Sequence, residues 1–168
     1  IDYDAKYVFS DAGYNFLPSE ISAAFALEQL KKLKKNLKKR NVNFELLKNF
    51  FSKLSKYFKL PEQYKGVKTA WLAFPVVIKK NSKFSRKDLQ IYLEKNNIQT
   101  RTIFTGNILK QPIVKNRKYK KLKNSEKNSN DVMKNGILIG CHQGMRIEEI
   151  NYIFKTFNKF LNKLVKPV

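Results

Sequence analysis

Three short segments with the character of strands, set among stretches of helical periodicity, limit the folds that are open to this chain. They cover residues 71–78, 98–103 and 137–139. The first and third are apolar runs, which are typical of buried strands, and the second begins and ends in isoleucine. Ser85 precedes an amphipathic stretch between the first two segments, and residues 147–164 place apolar side chains at helical spacing. The pattern predicts an α+β domain in which a short three-stranded sheet is packed with helices.

Helical periodicity also fills most of the chain before the first predicted strand. Ser19 is a good N-cap for one helix, and a second apolar stripe ends before Pro61. We divide the chain into a lead-in segment with bridging helices, residues 1–60, and a small α+β domain, residues 61–168. Because the chain begins at Ile1 rather than Met, we expect the bridging helices to join a large domain that precedes it.

Proline, asparagine and lysine-rich segments indicate where the predicted strands and helices are interrupted. Pro75 predicts that its strand lies at an edge or carries a bulge, because proline has no N–H to donate. The helix that Ser85 caps is expected to stop at Asn96 and Asn97. Residues 115–131 are polar and lysine-rich, which predicts a mobile surface loop.

The net charge of +22 raises the possibility of a nucleic-acid-binding module. Proteins that read phosphates and bases favour arginine, because its guanidinium binds two acceptors at once. Here nearly every basic residue is a lysine, and the arginines are Arg40, Arg86, Arg101, Arg117 and Arg146. The composition therefore favours a solvated lysine surface, with nucleic-acid binding kept as the alternative.

Several common kinds of site cannot be assembled from these residues. One cysteine, Cys141, excludes an internal disulfide and leaves too few thiols for a zinc or iron–sulfur centre. The only histidine is His142, and the sequence has no Gly-rich phosphate loop and no nucleophile elbow. No apolar run reaches the roughly 18–20 residues that a membrane span needs. We expect a cytoplasmic protein with no metal site and no complete catalytic centre within this chain.

Three polar loops could nevertheless bind a ligand. Residues 13–15 precede a helix start, where free N–H groups attract anions, although an ordinary turn would have the same composition. Arg101 lies in the second predicted strand, five residues before Gly106, and its guanidinium could bind a diphosphate or a carboxylate or could face water at a sheet edge. His142 lies between glycines at a strand end, which suits a binding residue or a tight turn.

Taken together, these motifs resemble the DegT/DnrJ/StrS family of sugar-nucleotide enzymes, which use pyridoxal or pyridoxamine phosphate. The resemblance covers nearly the whole chain and begins with YVFS, GYN and SEISAA at residues 7–10, 13–15 and 19–24. TRTIFTGN at residues 100–107, followed by Gln-Pro, is similar to the branch that removes the 3-hydroxyl of nucleotide-linked 4-keto-6-deoxyhexoses for O-antigen sugars. WLAFP and GCHQG fit the same branch.

The resemblance implies the small C-terminal domain of a fold-type I transferase, with particular roles for residues of the loops. Asn15 would reach the cofactor phosphate of the neighbouring subunit in a homodimer, and Tyr14 would support that loop. The residues expected to shape the nucleotide-sugar pocket are Arg101, Phe104, Asn107 and His142. Family members often carry a basic residue where this chain has Leu17, a departure that weakens the implied anion contact.

The same resemblance places the cofactor anchor before Ile1. A lysine there would imply an aminotransferase, whereas a histidine would imply a 3-dehydratase, and the cysteines of any iron–sulfur cluster would also lie upstream. This chain alone is then expected to be inactive. The interpretation as a sugar-nucleotide enzyme also requires the loop of Asn15 and the strand of Arg101 to face one shared cleft.

Overall fold

The structure, a computed structural model, describes residue 14 and residues 16–120, 122–123 and 125–165. Within those residues the chain forms four α-helices and one four-stranded sheet, which confirms the α+β prediction. The elements in chain order are α1 (Glu20–Ser52), β1 (Phe58–Lys59), β2 (Ala73–Ile78), α2 (Arg86–Lys95), β3 (Thr100–Arg101), α3 (Lys127–Asn135), β4 (Gly136–Gly140) and α4 (Ile147–Val165). Contacts divide the chain into two compact units, Ile1–Lys34 and Lys35–Val168.

Helix α1 replaces the two helices that the sequence predicts before residue 60. It is continuous for 33 residues, because residues 20–52 contain neither glycine nor proline and are rich in good helix formers. It ends at Ser52, before the second predicted helix would, and the chain turns into β1. The part of α1 in the Lys35–Val168 unit buries Phe44, Leu47 and Phe51.

The sheet has the strand order β1-β2-β4-β3, and every neighbouring pair is antiparallel. The three predicted strands are present, but the second is only Thr100–Arg101, and β1 is a fourth strand that the sequence did not predict. Side chains alternate along β2, where Phe74, Val76 and Ile78 are buried. The strand of Pro75 is central rather than an edge strand, but β1 pairs only with Val77 and Ile78, so no described strand pairs with the other side of Pro75.

Phe51 is the centre of an aromatic core. Its ring centroid lies 5.3 Å from those of Phe58 and Phe74 and 4.9 Å from that of Phe157, so α1, β1, β2 and α4 meet at one side chain. All four of these residues are almost completely buried. Burial of each aromatic side chain contributes about 1.5–3 kcal/mol, and the ring contacts add about 0.5–1.5 kcal/mol per pair.

Helix α2 follows its local signals closely. Ser85 forms a capping box with Asp88, in which each side chain accepts the other residue's backbone N–H. The helix ends at its cap Asn96, and Asn97 has a φ of +56°, a left-handed conformation that asparagine tolerates better than most residues. Both predicted limits of this helix are confirmed.

The segment predicted as a surface loop, residues 115–131, is not entirely loop. Helix α3 begins at Lys127 and leads directly into β4. It packs toward β2 and β4, with Val132 and Met133 partly buried. Tertiary contacts therefore stabilise a helix that the polar sequence does not predict. Two 3-10 turns, Ile108–Lys110 and Pro112–Val114, precede it.

The predicted division at residue 60 concerns a junction with a large domain before this chain, and it stays a prediction. None of the helices in the described residues is both long enough and apolar enough to cross a membrane.

Candidate functional site

A cleft of about 480 Å³ opens in the Lys35–Val168 unit, where β3, β4 and the first turns of α4 meet. Leu138, Ile139 and Ile153 give it an apolar floor. The polar residues that line it are Asn97, Gln99, Arg101, His142, Glu149 and Tyr152. Apolar surface with a few converging polar groups is the usual composition of a small-molecule site.

Arg101 forms one wall because of the alternation along β3. Thr100 points into the domain and is buried, so the next side chain, Arg101, lies on the opposite, exposed face. Thr100 is held by Glu94 of α2, whose Oε1 accepts the Thr100 backbone N–H at 2.8 Å and its hydroxyl at 2.7 Å. These two bonds, ahead of the nearby charge of Arg101, hold the pKa of Glu94 below its usual value.

His142 forms the other wall, on the loop between β4 and α4. Its Nδ1 accepts the backbone N–H of Gly144 at 3.2 Å. In the neutral ring that bond assigns the proton to the other nitrogen, Nε2, which can then donate to a ligand. Both Arg101 and His142 are exposed, so both are accessible to a bound molecule.

Helix α1 anchors the loop that carries His142. The side-chain amide of Asn43 donates to the His142 carbonyl oxygen at 2.9 Å, and Nε of Arg40 donates to Oε1 of Gln143 at 2.7 Å. Cys141 is fully buried, and burial raises the pKa of its thiol to about 12, so this thiol stays protonated and unreactive at neutral pH.

Glu149, in the first turn of α4, binds the end of the loop that carries His142. Its carboxylate accepts the Arg146 backbone N–H at 2.5 Å and is paired with the guanidinium of the same residue at 2.9 Å. The backbone bond, followed by the side-chain bond, lowers the pKa of Glu149 and keeps the carboxylate charged at the rim of the cleft. Tyr152, one turn further on, donates its hydroxyl to the Asn96 carbonyl oxygen at 3.1 Å.

The structure brings together only part of the predicted pocket. Arg101 and His142 line one cleft, as the resemblance implies. Phe104 is 93% exposed and lies outside the cleft lining. Asn107 is 2% exposed, and it caps the first 3-10 turn by accepting the Leu109 N–H at 2.9 Å. The ligand-binding roles of these four residues stay predictions.

The amide of Asn107 is also occupied. Its Nδ2 donates to Oε2 of Glu126 at 3.1 Å and to Oδ1 of Asn130 at 2.8 Å. These hydrogen bonds fix the conformation of the segment that contains Asn107. Gly106, just before it, has a φ of +70° and packs against Met133. The segment after Arg101 is therefore tied to α3.

The predicted cofactor-phosphate loop is described only in part. Tyr14 is 86% exposed and its ring stacks on Phe16, with centroids 5.6 Å apart. Asn15 lies outside the described residues. Because Tyr14 belongs to the Ile1–Lys34 unit and Arg101 to the other, the expectation of one cleft shared by these two segments stays a prediction.

Sequence reasoning missed several residues of the cleft. Asn97 and Gln99 belong to the link between α2 and β3, and Tyr152 is one of several aromatic residues in α4. The Asn96–Asn97 pair signalled only a helix end, and nothing local marks Tyr152 as different from its neighbours. Among the described residues, no group of His, Cys, Asp and Glu side chains could hold a metal ion.

The fold has a close counterpart among solved structures. The structure of the E. coli GDP-4-keto-6-deoxy-D-mannose-3-dehydratase with bound hydrated PLP matches it with a TM-score of 0.79 and 34% identity, over 90% of this chain and 38% of that one. The fold is thus that of the small C-terminal domain of fold-type I PLP-dependent enzymes.

Sequence comparison defines the family. The profile of the DegT/DnrJ/EryC1/StrS aminotransferase family matches residues 2–158, and the chain belongs to that family. The lipopolysaccharide biosynthesis protein RfbH of Salmonella typhimurium is 31% identical over 158 residues, 94% of this chain and 36% of that protein. The GDP-4-keto-6-deoxy-D-mannose 3-dehydratase of Escherichia coli O55:H7 is 34% identical over 151 residues, 90% of this chain and 38% of that protein. The chain thus spans less than two fifths of these relatives.

Proposed function

We propose that the whole protein is a PLP- or PMP-dependent 3-dehydratase of a nucleotide-linked 4-keto-6-deoxyhexose, acting in the synthesis of O-antigen deoxysugars of lipopolysaccharide. The observation that carries the proposal is the 34% identity, over 90% of this chain, to a 3-dehydratase of this substrate class. The cleft that contains Arg101 and His142 supports it, because both side chains can donate to the oxygens of a nucleotide sugar.

Within this proposal, Arg101 is the main contact to the substrate. A guanidinium binds a diphosphate through two parallel hydrogen bonds, which fixes orientation as well as affinity. Nε2 of His142 donates to a hydroxyl or carbonyl oxygen, while the apolar floor of the cleft receives the less polar part of the ligand. We assign Phe104, which is exposed on the following segment, to the same substrate, and we propose that Asn107 shapes the pocket by fixing the conformation of that segment.

The cofactor is assigned mainly to the part of the protein before Ile1. When bound, the pyridoxal group supplies an electron sink for bond cleavage. Of the two residues that the resemblance assigns to cofactor binding, Tyr14 is exposed and Asn15 lies outside the described residues. We assign Asn15 to the cofactor phosphate of the neighbouring subunit in a cytoplasmic homodimer and Tyr14 to the support of that cofactor-binding loop. Any iron–sulfur cluster is assigned to the upstream part. The side chains exposed along the first turns of α1, which such an assembly would cover, are Ile21, Phe25, Leu27 and Leu30.

The test is turnover by the full-length protein. CDP- and GDP-linked 4-keto-6-deoxyhexoses are supplied with the cofactor, and the products are analysed by mass spectrometry and NMR for loss of the 3-hydroxyl. Arg101→Ala should raise KM by about tenfold or more, because a bond to a charged group is worth about 1.5–3 kcal/mol. Arg117→Ala removes an exposed guanidinium outside the cleft and should leave KM unchanged.

An amino sugar that keeps its 3-hydroxyl would refute the dehydratase and favour the aminotransferase alternative, which the family name also covers. The nucleic-acid alternative predicts tight binding that weakens steeply with salt. We expect no retardation of DNA or RNA in a gel shift at low salt.

A further inference from the structure

Strand β3, which carries Arg101, is weakly fixed by the sheet itself. It is two residues long and lies at the sheet edge, where Thr100 pairs with Ile139 and Arg101 with Leu138. A slip of one residue in a strand turns every side chain to the other face. Here such a slip would turn Arg101 away from the cleft and expose Thr100. Two paired residues provide little resistance to that slip.

Glu94 supplies a second constraint from outside the sheet. It lies in the last turn of α2, and its single Oε1 accepts both the backbone N–H and the hydroxyl of Thr100, at 2.8 and 2.7 Å. The link between them is short, and Ile98 donates its N–H to the Leu93 carbonyl at 3.0 Å, so the helix end and the strand are tied together. A one-residue slip would turn Gln99 or Arg101 inward, and neither side chain has a hydroxyl to make the second bond.

We infer that Glu94 is a positioning residue: by fixing Thr100 on the inner face of β3, it holds the Arg101 guanidinium on the cleft face. Glu94 does not line the cleft, so it makes no contact with a ligand there, and we infer that it acts through Arg101. The functional consequence rests on the proposed function, in which Arg101 binds the diphosphate of the nucleotide sugar. A one-residue change in register removes that contact without altering Arg101 itself.

The experiment compares variants of the full-length protein, with GDP and CDP as probes in calorimetry and KM for the nucleotide sugar as a second readout. Glu94→Ala should weaken diphosphate binding by about tenfold, equivalent to about 1.4 kcal/mol. Glu94→Gln keeps an acceptor oxygen in the same position and should recover most of the loss. Glu45→Ala removes an exposed glutamate from α1, outside the cleft, and should change nothing.

A double-mutant cycle separates positioning from a general loss of stability. If Glu94 acts through Arg101, then Glu94→Ala should cause no further loss in an Arg101→Ala background. A defect that adds fully to that of Arg101→Ala, or one that Glu94→Gln fails to relieve, would overturn the inference.

The proposed function and this inference fail in different ways. Arg101→Ala weakening the binding while Glu94→Ala does not would overturn the inference alone. A wild-type protein that binds GDP or CDP in an Arg101- and Glu94-dependent way, but does not convert any 4-keto-6-deoxyhexose, would support the inference and refute the proposed reaction. If neither Arg101→Ala nor Glu94→Ala weakens the binding of GDP or CDP, the inference is overturned, whatever the turnover assay gives.

Discussion

Replacing Asn43 by leucine should loosen the loop that carries His142. Asn43 is 4% exposed, and its amide donates to the His142 carbonyl oxygen at 2.9 Å across a sequence separation of 99 residues. Leucine has the same number of side-chain heavy atoms and the same branching as asparagine, but it cannot donate, and its two methyl groups make it larger. The change therefore removes one long-range hydrogen bond and adds some packing strain at this buried position of α1.

The structure limits the size of the effect. The same carbonyl oxygen also accepts the Met145 backbone N–H at 3.2 Å, so the substitution does not leave it without a partner. The hydrogen-bond part of the cost is then that of one net hydrogen bond, about 0.5–1.5 kcal/mol, rather than the full penalty of a buried unsatisfied group. A change of about 1 kcal/mol raises the equilibrium constant for local opening of the loop about fivefold.

The measurement is hydrogen exchange by mass spectrometry on the peptide that covers residues 141–146 of the full-length protein. Exchange there should become about fivefold faster, while peptides of the aromatic core keep their protection. Asn49→Leu is the matched control, because Asn49 is exposed on the same helix and the substitution makes the same change in helix propensity. Equal protection of the loop in the two variants would refute the anchoring role of Asn43.

Three further predictions concern stability. Phe51→Ala should lower the free energy of unfolding by about 3–5 kcal/mol in urea denaturation, since it empties the centre of the aromatic core, whereas a loss below about 1 kcal/mol would mean that this core is loosely packed. Gly106→Ala should destabilise the protein by about 1–3 kcal/mol, because its φ is +70° and a Cβ would lie 2.6 Å from the Cβ of Met133; an unchanged melting temperature would contradict this geometry. The hydrogen bond from Lys59, followed by that from Asn135, lowers the pKa of Asp131 from its usual 3.8. The charged Asp131 therefore stabilises the fold at neutral pH, and this stability is lost as the pH falls through the lowered pKa. Asp131→Asn should remove that part of the acid dependence, and identical acid-unfolding curves would refute it.

Local sequence signals accounted for the elements whose limits depend on neighbouring residues. The capping box of Ser85 and the stop at Asn96 fix α2 through groups no more than a few residues apart. The apolar runs around Phe74 and Ile139 identify the two central strands, and the period of α4 identifies the closing helix. These features follow from the sequence because side-chain periodicity and capping act over one or two turns.

The candidate site was only partly predictable. Arg101 and His142 were marked by their contrast with apolar neighbours and by glycines, and the structure places both on one cleft. Asn107 has the same polar character in the sequence, yet its amide donates to Glu126 and Asn130, which lie 19 and 23 residues away. A sequence pattern states that a polar side chain is present, but it does not state which distant group will bind it.

The sequence alone determined an α+β domain, the family resemblance and the polar loops, since each depends on residue types at short spacing. Tertiary structure decided that Phe58 and Lys59 pair with the end of β2 and that Tyr152 lines the cleft. A two-residue strand has too few residues to form on its own propensity, and it exists only because β2 offers an edge and Phe51 a buried contact for Phe58. Contacts between residues far apart in the chain, made only after the core has assembled, supply that part of the fold.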